Sequence, residues 1–332
     1  MDEEPNSSGI TARGGYLKPL VSIGVVLLVV ISLYFVVRAL PLEMLGEIRP
    51  KRLALWTLPL IVFLQLVFLL VAAQIWRWIV RVLTGTTCTL WDSYMQLAVV
   101  TVGKYVPGKV WGFVARAGDM YRHKIPLHLS MMSSVIEQLL LMTGGLIVSV
   151  VAALIALPQY RVEIIIAGGL LSLVTIAVLM NVPALTRWIL RHRKTQEIPR
   201  KIPGYHVNSV FGFTLAYAAL WVLSGTIFCI IYFSLFDAAV SVEIIAALTL
   251  ANTLGIILGF FAFFAPGGIG IREAITTGVL AGFVPIREAL LAAVCYRAWL
   301  VLMDGLNAML ILVRETRLAK RGRKIEIHGP QQ

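Results

Sequence analysis

Long apolar runs separated by short basic or polar stretches set the pattern of this chain. Six runs reach the roughly 20 residues that a helix needs to cross a bilayer, at 19–37, 53–75, 128–157, 162–182, 207–235 and 286–313. Two further apolar segments, 86–117 and 243–284, are each broken by proline and glycine beside cationic side chains. The first break reads Gly103-Lys104-Tyr105-Val106-Pro107-Gly108-Lys109-Val110-Trp111. The second reads Phe264-Ala265-Pro266-Gly267-Gly268-Ile269-Gly270-Ile271-Arg272-Glu273. Hydrophobic segments interrupted at matching points of two halves point to a transport site at a repeat interface.

Basic flanks orient the runs. The loop from Arg187 to Lys201 and the tail from Arg314 to Lys324 carry clustered Lys and Arg, which places both in the cytoplasm. Counting spans outward from these anchors leaves 86–117 beginning and ending inside, and 243–284 beginning and ending outside. The expectation is an all-α polytopic membrane protein with about six full transmembrane helices. Two re-entrant broken segments enter from opposite faces within an inverted repeat, whose halves are 53–157 and 207–313. The stretch 243–264 is long enough to span alone, so eight crossings is the alternative. Residues 1–18 form a cytoplasmic N-terminal tail, 19–313 a single membrane domain and 314–332 a basic cytoplasmic tail, with the inner (plasma) membrane as the location.

Composition agrees. The chain of 332 residues is 59% hydrophobic and 14% charged, well below the roughly 25% charged residues of a soluble domain. The first apolar run is too long for a signal-peptide core and no small-residue cleavage site follows it. Cys88, Cys229 and Cys295 are scattered, which indicates neither a disulfide framework nor a metal site. The net charge of +12 is accounted for by cytoplasmic loops and anionic headgroups; no nucleic-acid partner is expected.

A helix beginning after each break, at about Gly108 and Ile269, exposes unpaired N–H groups and a partial positive charge, which suits a phosphate. Lys104, Pro107, Gly108 and Lys109 in the first break, with Pro266, Gly267, Gly268 and Arg272 in the second, form the candidate lipid-phosphate site. The competing reading makes the breaks surface turns. Glu137, Arg297 and Asp304 are ionisable residues inside spans, where charge is costly and faces a partner or a cavity. They line a polar path, or they pin helices together through a Glu137–Arg297 or Arg297–Asp304 contact. No nucleophile–base pair or phosphate-binding loop appears at mechanistic spacing, so no enzyme and no cofactor are expected.

With these motifs placed, the chain resembles the lysylphosphatidylglycerol synthase transmembrane-region family, flippase-like integral membrane proteins. The resemblance rests on the two quoted breaks and on Tyr296-Arg297 in the last span, and covers about residues 20–313. It implies a lipid-translocating module with re-entrant helices. Bifunctional members continue into a soluble aminoacyl-transfer domain; here 314–332 follow the last span, so that synthase activity is not expected. The resulting expectation is a flippase for an anionic phospholipid or a polyprenyl-phosphate-linked glycolipid. The alternatives are a non-transporting accessory subunit of a glycolipid or polysaccharide synthesis complex, with glycolipid-synthesis proteins as partners, or a polyprenyl-phosphate glycosyltransferase.

Overall fold

A computed structural model describes residues 53–106, 110–190, 205–262 and 265–327. The expected first span at 19–37, both tails' ends and the loop 191–204 lie outside the described residues. The described residues fold into nine α-helices: α1 (Leu53–Thr84), α2 (Leu90–Gly103), α3 (Trp111–Arg122), α4 (Leu127–Ala156), α5 (Arg161–Leu190), α6 (Val207–Leu235), α7 (Val242–Phe261), α8 (Ile271–Leu280) and α9 (Ile286–Ile327). Six are long and apolar enough to cross a membrane: Trp56–Thr84, Leu127–Ala156, Pro158–Leu185, Val207–Leu235, Val242–Phe261 and Ile286–Leu318. Five of these are expected spans. The sixth is α7, the arm that the sequence already marked as long enough to span.

Local signals set the helix ends. Gly85, at φ +72°, closes α1 by donating its N–H to the Arg81 carbonyl at 2.9 Å, the left-handed glycine stop of many helices. Thr89 and Ser241 cap α2 and α7, their hydroxyls accepting the N–H groups of Asp92 and Ile244 at 3.1 Å each. Such caps satisfy donors that a helix start leaves free.

The two halves run in opposite directions. Ile61 near the start of α1 packs in one apolar cluster with Ile227, Phe228 and Tyr232 near the end of α6. Ile75, Trp76, Ile79 and Val80 near the end of α1 share another with Val210, Tyr217 and Leu220 near the start of α6. Each half contributes a helical hairpin. In the first, the Arg116 Nε donates to the Gln96 carbonyl at 3.1 Å, and a Cβ on Gly112 would lie 2.8 Å from the Val100 Cα. In the second, Thr276 Oγ1 donates to the Ala251 carbonyl at 3.3 Å, and a Cβ on Gly259 would lie 3.3 Å from the Arg272 Cβ. Arms that meet this way are antiparallel. The hairpins have opposite surroundings at their bases: α2 and α3 meet the far end of α9 through Arg314–Asp119, Arg314–Asp92 and Arg122–Glu315 contacts of 2.8–3.4 Å. At the other end Ala246 of α7 and Leu280 of α8 share an apolar cluster with Tyr232 of α6 and Ala289 of α9, where Tyr232 donates to Glu288 of α9 at 2.8 Å.

Candidate functional site

The tips of the two hairpins meet. Gly267, at φ +60° in the turn Pro266–Gly268, donates its N–H to the Lys104 carbonyl at 2.9 Å. A main-chain group on one Pro-Gly break is thus bonded to a main-chain group on the other. The approach is close enough that a Cβ on Gly267 would sit 2.8 Å from the Tyr105 ring, so only glycine fits both the backbone angle and the space.

Helix α9 clasps this junction along one face. Arg297 Nη2 donates to the Gly267 carbonyl at 2.8 Å. Two turns later, on the same face, Asp304 Oδ2 takes both the Lys104 ammonium at 2.7 Å and the Tyr105 hydroxyl at 2.6 Å. Arg297 Nε also lies 3.3 Å from Glu273 Oε1 on α8, outside hydrogen-bonding geometry. Arg272, the neighbour of Glu273, has its guanidinium 5.8 Å from the Tyr296 ring centroid. Lys104, Arg272 and Arg297 are near enough to act on one another electrostatically.

Among the described residues two buried guanidinium donors at this junction lack an acceptor, Arg297 Nη1 and Arg272 Nη2, and Arg297 is 1% exposed. Arg297 Nε, also without a hydrogen bond, faces the equally unbonded Glu273 Oε1 of its ion pair. A buried unmade hydrogen bond on a charged group is costly, and the Nη1 and Nη2 N–H groups could donate to an anion. On the flank, Tyr296, Ser224 and Asn252 form a hydrogen-bonded group, with Ser224 Oγ 2.9 Å from the Tyr296 hydroxyl and 3.0 Å from Asn252 Nδ2.

The helix starts fall slightly later than expected. α3 begins at Trp111 and α8 at Ile271, not at Gly108 and Ile269. In the second break, a 3-10 turn over Pro266–Gly268 and Gly270 at φ +83° consume the intervening residues. Glu273 Oε2 then accepts the Gly270 N–H at 2.7 Å, so a carboxylate of the chain already stands at the start of α8. Pro107, Gly108 and Lys109 lie outside the described residues.

Glu137 and Arg297 do not pair; each has a different partner. Glu137 Oε2 lies 3.2 Å from Arg116 Nη1 on α3, and Glu137 Oε1 accepts from the Tyr217 hydroxyl at 3.4 Å. Arg116 is fully buried, with its guanidinium 4.1 Å from the Trp76 ring centroid. The two ion pairs correspond. In each half the returning arm of the hairpin is tied to the next long helix, through Arg116–Glu137 in one and Glu273–Arg297 in the other, with the charges exchanged. The Arg297–Asp304 contact is likewise not formed, because Asp304 serves Lys104 and Tyr105.

Sequence reasoning assigned no role to Arg116, Tyr105 or Glu273. For Arg116 a signal existed, an arginine within the apolar segment 86–117, where burial demands a counter-charge. A chain of contacts continues from there to one end of the bundle. Trp76 Nε1 donates to Gln96 at 2.8 Å, Gln96 to Asp119 at 3.2 Å, and Arg314 Nη1 to Asp119 at 2.8 Å. The Glu315 carboxylate that accepts from Arg122 raises that guanidinium's pKa above its ordinary value.

The family model described as the lysylphosphatidylglycerol synthase TM region matches residues 20–306. No curated protein matches the chain.

Proposed function

We propose, on the premise that this chain belongs to the lysylphosphatidylglycerol synthase transmembrane-region family, that it moves an anionic lipid between membrane leaflets without altering it chemically. The protein is an integral membrane protein, and the family supports a lipid-related role. The cargo class is a phospholipid or a polyprenyl-phosphate-linked glycolipid. The observation that carries this reading is the pair of buried guanidinium groups, Arg297 Nη1 and Arg272 Nη2, without an acceptor among the described residues where the two hairpin tips meet. An anionic headgroup would complete them.

The hairpins are read as re-entrant. α2 and α3, of 14 and 12 residues, extend about 21 and 18 Å, against a hydrocarbon core about 30 Å thick. Non-helical backbone at membrane depth survives where it is buried in protein or lines a watery cavity, and a tip-to-tip junction is such a place. The basic end of the bundle, with Arg77, Arg81, Arg122, Lys124 and Arg314, faces the cytoplasm of a plasma membrane under the positive-inside rule. Both termini then lie inside.

Reconstituted vesicles containing a labelled anionic lipid test the reading directly. The native protein is expected to transfer label between leaflets. Lys104→Gln, Lys109→Gln or Arg272→Gln slows transfer by about ten- to a hundred-fold, the value of one charge-assisted hydrogen bond. Pro107→Ala slows it by letting helix run through the break. A native protein that moves no lipid from any cellular extract sinks the flippase reading and favours the accessory-subunit role.

A further inference from the structure

On the wall of α7 that carries Arg272 there is also an unmade acceptor. Asn252 of α7 is 2% exposed, and its Oδ1 has no partner among the described residues. Its amide nitrogen is committed to Ser224 Oγ at 3.0 Å, and Ser224 Oγ lies 2.9 Å from the Tyr296 hydroxyl. The Arg272 side chain is laid along α7 towards this group. A Cβ on Gly259 would lie 3.3 Å from Arg272 Cβ, and one on Gly255 would lie 3.6 Å from Arg272 Cγ. The side chain therefore climbs from Gly259 towards Gly255, and Asn252 is three residues further on the same face. The guanidinium stands 5.8 Å from the Tyr296 ring centroid, and its Nη2 is the donor without a described acceptor.

These two atoms ask for different chemistry. Asn252 Oδ1 needs a donor and Arg272 Nη2 an acceptor. A phosphodiester only accepts and an ammonium only donates, so neither serves both. A hydroxyl does both. Nη2 carries two N–H groups and can bond a hydroxyl and a phosphate oxygen together. We propose that Asn252 and Arg272 read a hydroxyl on the headgroup beside its phosphate, so that the lipid accepted here is polyol-headed (glycerol or sugar) and not amine-headed. The inference rests on the anionic-lipid reading above and adds to it the chemistry of the headgroup and the residue that selects it. A trapped water would satisfy the same two atoms, and the test separates water from headgroup.

The full chain in an uncharged detergent is titrated with two soluble phosphodiesters of equal charge, dihexanoyl-phosphatidylglycerol and dihexanoyl-phosphatidylmethanol. Only the first has headgroup hydroxyls, so a preference between them does not report charge. The native protein binds the glycerol lipid at least about tenfold tighter, because an analogue lacking the hydroxyl leaves buried polar groups unpaired. Asn252→Leu, similar in volume but without the acceptor, brings the ratio close to unity. Asn252→Asp, which keeps an acceptor oxygen at the position, retains the preference even if both affinities fall. A native protein that binds both lipids equally overturns the inference, makes water the occupant and leaves lipid binding intact. That comparison stands even if a variant fails to fold. An Asn252→Leu protein with the native ratio also overturns the inference, as does an Asn252→Asp protein that loses the preference, which would make the role of Asn252 structural. Binding of neither lipid to the native protein removes the anionic-lipid reading itself.

Discussion

The Gly267 N–H and the Lys104 carbonyl are hydrogen-bonded at 2.9 Å, and this bond joins the ends of two hairpins that belong to oppositely directed halves. Its geometry makes Gly267 hard to replace. Gly267→Ala places a methyl group 2.8 Å from the Tyr105 ring and 3.0 Å from Arg297 Nη2 at a positive φ. It is expected to lose about 2–4 kcal/mol of stability, combining left-handed strain with overpacking. Gly270→Ala, at φ +83° and ψ −50° with open space around its Cβ position, carries only the backbone strain, about 1–3 kcal/mol. Thermal unfolding in detergent compares the two; equal losses would mean that the tip has room to relax.

Arg116 and Glu137 form a buried pair, so removing one partner strands the other. Glu137→Gln and Arg116→Gln are each expected to cost about 3–5 kcal/mol, and the double variant much less than the sum. Glu137→Gln and Arg297→Gln should instead add, because these residues have separate partners. Additive losses for Arg116 and Glu137 would show that the pair is not made in the membrane protein.

Gly103 is the contact point of the first hairpin. A Cβ there collides with the backbone of Gly112, and backbone cannot swing aside as a side chain can. Gly103→Ala is expected to destabilise by about 1–3 kcal/mol or more, while Gly118→Ala on the same hairpin, with nothing near its Cβ position, is expected to be neutral or better. Protease resistance of the α2–α3 hairpin in the two variants is the measurement, and equal resistance would contradict the packing described.

Single cysteines in a cysteine-free background separate re-entry from crossing. Ala239 precedes α7 and Ala281 follows α8, and both are exposed. Impermeant thiol reagents applied to intact cells should label cysteines at both positions and spare one at Lys124, at the base of the first hairpin. Labelling at Ala239 without labelling at Ala281 would make the second hairpin cross the membrane.

Much of this arrangement could be read in the chain. Proline and glycine inside long apolar runs marked both tips, and basic flanks predicted the opposed directions of the halves, because each depends on local composition. Glu137, Arg297 and Asp304 were recognisable as buried charges, which is also a local property. Their partners were not. Whether Glu137 meets Arg297 or Arg116 depends on which face of α4 packs against α3, and apolar periodicity is weak in helices that face lipid on one side and protein on the other. Tyr105 and Glu273 stood in view within the breaks, yet their roles arise only when α9 crosses both tips. The start of α8 was misjudged by two residues, since glycines at positive φ, here Gly267, Gly268 and Gly270, can extend a turn without changing the pattern of hydrophobicity.

Arg297 and Asp304 lie two turns apart on one face of α9, each gripping a different tip. A rod carrying two catches along the same edge cannot turn without moving both. Rotation of α9 about its axis would loosen the grip on the Gly267 side and on the Lys104 side together, making the two breaks a single lock with one key. Arg314, farther along the rod, rests on Asp119 and Asp92 at the end of the bundle. A twist applied there is felt at the lock.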